Sequence, residues 1–326
     1  MSDRIRWPIV IATVIGLAAA LWAIGSIGLA GLAHAALRLG AGGFLLFCVA
    51  SLGLTLVLGA AWLASMPGQP IARLPLFAFA RLAREGANDL LPFSQVGGLV
   101  VGARALTGAG LDKPRTYAAM IVDLTTEMAS QIAFTLFGLI AMGSLLIEGG
   151  RHHVAPLAWA GGGITLAITL GFIFLQRPML KLAVALAGRV LPGAQVSLER
   201  IRAELDDIYR HRGAVIAAFL LNLAGWVIAA ALAALALRLM GEPIPLWKVM
   251  ALESLIFAIR GAAFLIPGAI GVQEAGYVLL AQAVGLDPDV AVALSLVKRA
   301  RDLALGLPAL IAWQAMQLKA RRETPV

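Results

Sequence analysis

Two polar segments broken by proline, set at matching places in the two halves of an otherwise apolar chain, restrict what this sequence can fold into. REGANDLLPFSQVGG, residues 84–98, interrupts a run of small and apolar residues at Pro92, and RGAAFLIPGAIGVQEAG, residues 260–276, does the same at Pro267. Each half then continues into a long apolar helix with charge in its interior, Asp123 and Glu127 in the first and Lys298 and Asp302 in the second. The same interval, 175 residues, separates Pro92 from Pro267, Asp123 from Lys298 and Glu127 from Asp302. Duplicated halves with broken segments at corresponding positions mark repeat-built membrane transporters, whose substrate site lies where the broken segments meet near the bilayer midplane.

With 60% hydrophobic residues, 13% charged residues and a mean hydropathy of +0.89, the chain cannot be an ordinary soluble domain. The expectation is an all-α integral membrane protein, a polytopic helical bundle forming one transmembrane domain over residues 1–326. Residues 176–212, the longest stretch without a convincing span, are too few and too charged to build a separate core. The single cysteine, Cys48, excludes a disulfide within the chain and reads as a small buried hydrophobe.

Apolar stretches of spanning length fall at 9–31, 43–64, 117–142, 154–175, 213–237 and 289–313. The net charge of +8 follows the positive-inside rule rather than a nucleic-acid footprint. With the N-terminus cytoplasmic, 18 of the 26 Lys and Arg, from Arg4 to Arg322, fall on the cytoplasmic side. Arg38, Arg151, Arg238 and Lys248 fall outside, and Arg260, Lys298, Arg299 and Arg301 fall at membrane depth. Both termini are therefore expected inside, and the first span is expected to stay uncleaved because its apolar run exceeds the usual ~7 to 15 residues of a signal peptide.

Six spans leave two apolar stretches, 76–106 and 250–284, each interrupted near its middle by Pro and Gly. Each is long enough to enter the membrane, turn at Pro92 or Pro267, and return. Such backbone survives at depth only if protein buries it or a wet cavity bathes it. Residues 1–145 and 154–315 would then each hold about three spans and one re-entrant hairpin, an odd number of spans that makes the repeats inverted. The rival arrangement has each hairpin arm cross fully. Residues 197–212 read as an amphipathic helix capped by Ser197, with Leu198, Ile201, Leu205 and Ile208 on one face, lying at the cytoplasmic interface.

Charge inside a bilayer costs roughly 2.5–3.5 kcal/mol per residue on insertion scales, so the intramembrane cluster needs a reason. Asp123 and Glu127 share one helical face, as do Lys298 and Asp302, with Arg299 and Arg301 beside them. The acidic face of one half can meet the mainly basic face of the other as a coupling or ion-pair network. The hairpins add candidate ligands for a polar or anionic group: Arg84, Asn88, Asp89, Ser94 and Gln95 in the first, and Glu253, Arg260, Gln273 and Glu274 in the second. The broken arms also present dipole ends to it. A purely structural network is the competing reading of the same charges. His152 and His153 have no third metal ligand in spacing, and neither a P-loop nor a nucleophile beside a histidine is visible, so no metal, cofactor or catalytic residue is expected.

The pattern ARLAREGANDLLPFSQVGGLVVGARALTGAG followed by DLTTEMASQ resembles a known group, as does ESLIFAIRGAAFLIPGAIGVQEAGYVLLAQAVGL followed by SLVKRARDLALGLPALIAWQ. The resemblance is to the hopanoid-biosynthesis-associated membrane proteins called HpnL, within a flippase-like superfamily similar to the transmembrane region of lysylphosphatidylglycerol synthases. It covers nearly the whole chain, and PGAIGVQEAG with the following KRARD is its most specific part. It implies lipid handling in a bacterial inner membrane, with hopanoids as one candidate substrate. In two-part synthases the aminoacyl transfer belongs to a separate soluble domain, which is not seen here, so synthase activity is not expected.

The reading that joins these observations is a non-enzymatic lipid translocase whose partners are membrane lipids, and lipid-biosynthesis proteins as a further possibility, with no nucleic acid. Arg84, Asn88, Gln95, Arg260, Gln273 and Glu274 would line a central groove, and Asp123, Glu127, Lys298, Arg299 and Asp302 would neutralise or couple the head group. The alternatives are an intramembrane lipid-modifying enzyme that uses the carboxylates as acid and base, a non-catalytic organiser of a lipid-synthesis complex, and an ion-coupled transporter of small solutes.

Overall fold

A computed structural model of the chain describes residues 37–90, 94–148, 192–263 and 269–323. The spans expected at 9–31 and 154–175, the turns at Pro92 and Pro267, and His152 and His153 lie outside the described residues. Among the described residues there are nine α-helices and no strand. They are α1 (Gly40–Ala64), α2 (Leu74–Leu90), α3 (Ser94–Gly108), α4 (Lys113–Glu148), α5 (Pro192–Arg210), α6 (Arg212–Leu239), α7 (Leu246–Ala262), α8 (Val272–Val284) and α9 (Pro288–Glu323), with a 3-10 turn at Ile71–Arg73 before α2. Three helices, Gly40–Ala64, Lys113–Leu145 and Arg212–Leu239, are long and apolar enough to cross a membrane. This is an all-α membrane protein.

The two halves repeat in structure as they do in sequence. α4 and α9 are each 36 residues long and begin and end 175 positions apart, and α1 and α6 end 175 positions apart. Contacts between the halves repeat as well. A Cβ on Gly86 of α2 would lie 2.8 Å from the backbone of Gly306 in α9, and at the corresponding positions Gly261 of α7 faces Gln131 of α4. Asn222 of α6 donates to Thr126 of α4 at 3.1 Å, and their counterparts are Phe47 of α1 and Arg301 of α9, which stack at 5.5 Å. α1 and α6 run antiparallel, since Gly43 meets Leu239 near one end while Gly225 meets Leu58 further along.

Each pair of short helices forms an antiparallel hairpin. Gly98 and Gly102 of α3 face Asn88 and Arg84 of α2 in reverse order, and Gly276 and Tyr277 of α8 meet Ile256 and Glu253 of α7. The arms have 17, 15, 17 and 13 residues, about 20–26 Å at the helical rise. α8 is capped by Gly271, whose φ of +80° suits glycine, and its first turn is closed by Glu274, whose carboxylate accepts the Gly271 amide at 2.8 Å. The neighbouring Ala269 holds a φ of +48°, a strained conformation for a residue with a side chain.

The long helices tie the halves together. α4 supplies Met120 and Val122 to a core around Trp62, Phe77 and Leu106, then Leu139 and Met142 to a second core around Leu252, Ile256, Tyr277 and Leu294. α9 carries Leu294 and Val297 in that second core, passes Pro308, and brings Leu310 and Trp313 against Ala83, Ala87 and Val101 of the first hairpin. Proline removes one ladder bond within α9 and permits a bend there.

The helix expected at 197–212 differs in extent and in setting. It begins at Pro192 and ends at Arg210, so Ser197 is an interior residue and not its cap. Leu205 and Ile208 are 2% and 0% exposed in the first core, so protein rather than a membrane surface covers this part of the apolar face. Arg115 of α4 holds the other side, reaching Glu204 at 2.7 Å while both side chains stay about a third exposed. In that setting the pair contributes little, and Arg115→Ala should lower stability by less than about 1 kcal/mol, a small shift in thermal midpoint.

Candidate functional site

Charged residues on the hairpins and long helices segregate into groups that each balance their own charge. In the first, Arg81 and Arg84 sit three residues apart on one face of α2 and reach across to α4. Asp123 Oδ2 accepts Arg81 Nη1 at 3.1 Å and Arg84 Nη1 at 2.9 Å. Glu127 accepts Arg81 Nη2 at 2.5 Å and Arg84 Nη2 at 2.9 Å. Asp123 is fully buried, and the ring of Trp62 lies 5.9 Å from the Arg84 guanidinium. Two guanidiniums shared by two carboxylates balance the buried charge, while Asp123 Oδ1 and Arg84 Nε are buried without a hydrogen-bond partner among the described residues.

The second group has the opposite polarity. Here the hairpin arm supplies the acid and the long helix the base: Lys298 Nζ of α9 lies 2.5 Å from Glu253 Oε2 of α7. Tyr277 of α8 donates to the other Glu253 oxygen and accepts from Lys298 at 2.8 Å. The Phe257 ring lies 4.9 Å from the ammonium. A turn away, Glu274 accepts Arg299 Nε at 2.7 Å and the Ser295 hydroxyl at 2.9 Å, while Gln273 donates to Ser295 at 2.6 Å.

The halves meet between these groups. Arg260 Nη2, near the end of α7, donates to Asp89 Oδ1, near the end of α2, at 3.0 Å. This pair is more open than the Arg84–Asp123 and Lys298–Glu253 pairs, with the side chains 24% and 22% exposed. Arg301 binds its neighbour Asp302, and Glu85 binds Arg81 Nε at 2.8 Å with 39% of its side chain exposed. Among the described residues no group of His, Cys, Asp and Glu is arranged to hold a metal ion.

The pairing corrects one sequence expectation. Asp123 and Glu127 do not meet Lys298 and Asp302 across the repeat axis; Asp123 and Glu127 pair with Arg81 and Arg84 on the hairpin of their own half, and Lys298 pairs with Glu253 on the hairpin of its own. Arg81 and Arg84 are both buried. Of the groove residues, Arg84 belongs to the first group and Gln273 and Glu274 to the second, with Arg260 between them. Asn88 packs its amide into the space that a Cβ on Gly98 would need. The side chain of Gln95 lies outside the described residues.

Arg81 and Tyr277 are members that sequence reasoning did not single out. Arg81 could have been found from its i, i+3 and i, i+4 spacing to Arg84 and Glu85. Tyr277 had no such signal, because its counterpart in the first half is Gly102.

The family model described as lysylphosphatidylglycerol synthase TM region matches the chain over residues 9–309. No curated protein and no solved structure matches the chain.

Proposed function

From the premise that this chain belongs to the lysylphosphatidylglycerol synthase TM region family, a family of lipid-related membrane proteins, we propose that it moves a lipid with a polar or charged head group between bilayer leaflets. Hopanoid- and polyprenyl-related lipids, suggested by the narrower HpnL resemblance, are candidate substrates. We place the protein in a bacterial inner membrane with both termini cytoplasmic and with the hairpins re-entrant in two oppositely oriented halves. The antiparallel α1 and α6 support that orientation, and arms shorter than the ~30 Å hydrocarbon core support re-entrance.

The observation that carries the reading is the Asp89–Arg260 contact, where the arms of the two broken hairpins meet in a charged pair whose side chains are each about a quarter exposed. A head group crossing there exchanges water for fixed charges while its tails remain in lipid, which lowers the desolvation cost that blocks unaided flipping. Arg84, Asn88, Gln95, Gln273 and Glu274 would flank the path, and Asp123, Glu127, Lys298, Arg299 and Asp302 would hold its walls or couple ions to the movement. Membrane lipids are the proposed partners.

The test is leaflet accessibility of acyl-chain-labelled lipids in proteoliposomes. Exchange should exceed that of protein-free vesicles and fall at least about tenfold in folded Arg260→Ala, the loss of roughly 1.4 kcal/mol of head-group interaction. Exchange untouched by that change would remove the contact from the path. A second reading, a non-catalytic organiser of lipid synthesis, draws on the completeness of the Arg81–Arg84–Asp123–Glu127 network, which needs no ligand to balance it. Wild-type exchange separates the two readings, since an organiser gives none above protein-free vesicles; within the translocase reading, slowed exchange in folded Glu127→Gln supports coupling and unchanged exchange supports a structural role for the network.

A further inference from the structure

Resting on the translocase reading, we propose that the Asp89–Arg260 contact takes a zwitterionic phospholipid head group, a phosphate joined to a protonated amine, in preference to a purely anionic one. The neighbouring cations are already committed. Arg81 and Arg84 are shared between Asp123 and Glu127, Lys298 is held by Glu253 and Tyr277, and Arg301 is held by Asp302 and lies over the Phe47 ring. A phosphate entering the contact therefore has Arg260 to bind, and it reaches Arg260 by displacing Asp89.

What happens to Asp89 then decides the chemistry. The carboxylates nearest the Asp89–Arg260 pair, Glu85 and Asp302, are already held by Arg81 and Arg301, so neither guanidinium is free to take over from Arg260. A lone anion would satisfy Arg260 and leave Asp89 uncompensated and partly buried, with no neighbouring cation among the described residues free to replace Arg260. Breaking a buried pair in that way costs far more than the pair itself contributes. A zwitterion resolves both ends. Its phosphate takes the Arg260 fork and its ammonium takes Asp89, so the contact between the hairpins opens while every charge keeps a partner. The same exchange would let the two hairpins part as the head group passes, because the protein's own ion pair is replaced by two protein–lipid pairs.

The experiment uses the full chain in proteoliposomes with acyl-chain-labelled phosphatidylethanolamine and, separately, phosphatidylglycerol, and measures the rate at which each label changes leaflet. Phosphatidylethanolamine is expected to exchange at least about tenfold faster. Asp89→Asn should erase most of that preference by slowing phosphatidylethanolamine. Equal rates, or faster phosphatidylglycerol, in the wild-type protein would overturn the head-group inference and leave translocation standing. A preference that survives in folded Asp89→Asn would overturn the assignment of the site. No exchange of either lipid would overturn the translocase reading, and this inference with it. The wild-type comparison decides the head-group question even where the variant does not fold.

Discussion

Lys298→Met should lower stability by about 3–5 kcal/mol, the range for removing one member of a buried pair and leaving the other charge unpaired. Glu253 is fully buried, and its acceptors are served by Lys298 at 2.5 Å and by Tyr277. With the ammonium gone, the carboxylate keeps one hydroxyl donor and no counter-charge. The double change Glu253→Gln with Lys298→Met removes both charges together and should recover most of the loss, because well-packed neutral groups in place of a buried ion pair are often no worse. Thermal unfolding of the detergent-solubilised protein reads both. A single change that leaves the midpoint unmoved would mean that Glu253 is not compensated by Lys298. In the proteoliposome assay the double variant also tests whether this group only holds the helices: unimpaired lipid exchange would assign it to structure alone.

Gly86→Leu should prevent folding, and Gly86→Ala should lower stability by roughly 1–3 kcal/mol, the usual range for overpacking. A Cβ at Gly86 would stand 2.8 Å from the Cα and carbonyl oxygen of Gly306, and backbone cannot rotate aside as a side chain can. Two glycines are what let α2 and α9 approach closely enough to join the halves. Gly53→Ala in α1 is the matched control, since no atom lies within 4 Å of its Cβ position. That change should be neutral or stabilising by up to about 1 kcal/mol through helix propensity. Equal midpoints for Gly86→Ala and the wild type would show that the crossing is not tight.

Much of the architecture was legible because hydrophobic length acts locally. A run of more than twenty apolar residues has one low-energy form in lipid, and α1, α4 and α6 lie where those runs predicted. The interval between the halves recurs in the bounds of α4 and α9 because the same residue spacing produces the same helix limits. The extent of α5 was less legible. Its apolar stripe specifies that something covers the face of Leu205 and Ile208, and a membrane surface and the Trp62 core satisfy that demand equally well.

The sequence by itself determined that this is a helical membrane protein and that charges of opposite sign stand 175 residues apart at Asp123 and Lys298. Only the tertiary structure decided who pairs with whom. Periodicity assigns a residue to a helix face but leaves its partner open, and a basic side chain is complementary to every carboxylate within reach. Distance resolves that degeneracy: Arg81 and Arg84 reach Asp123 and Glu127, Glu253 reaches Lys298, and Asp89 is left to join Arg260 across the two halves.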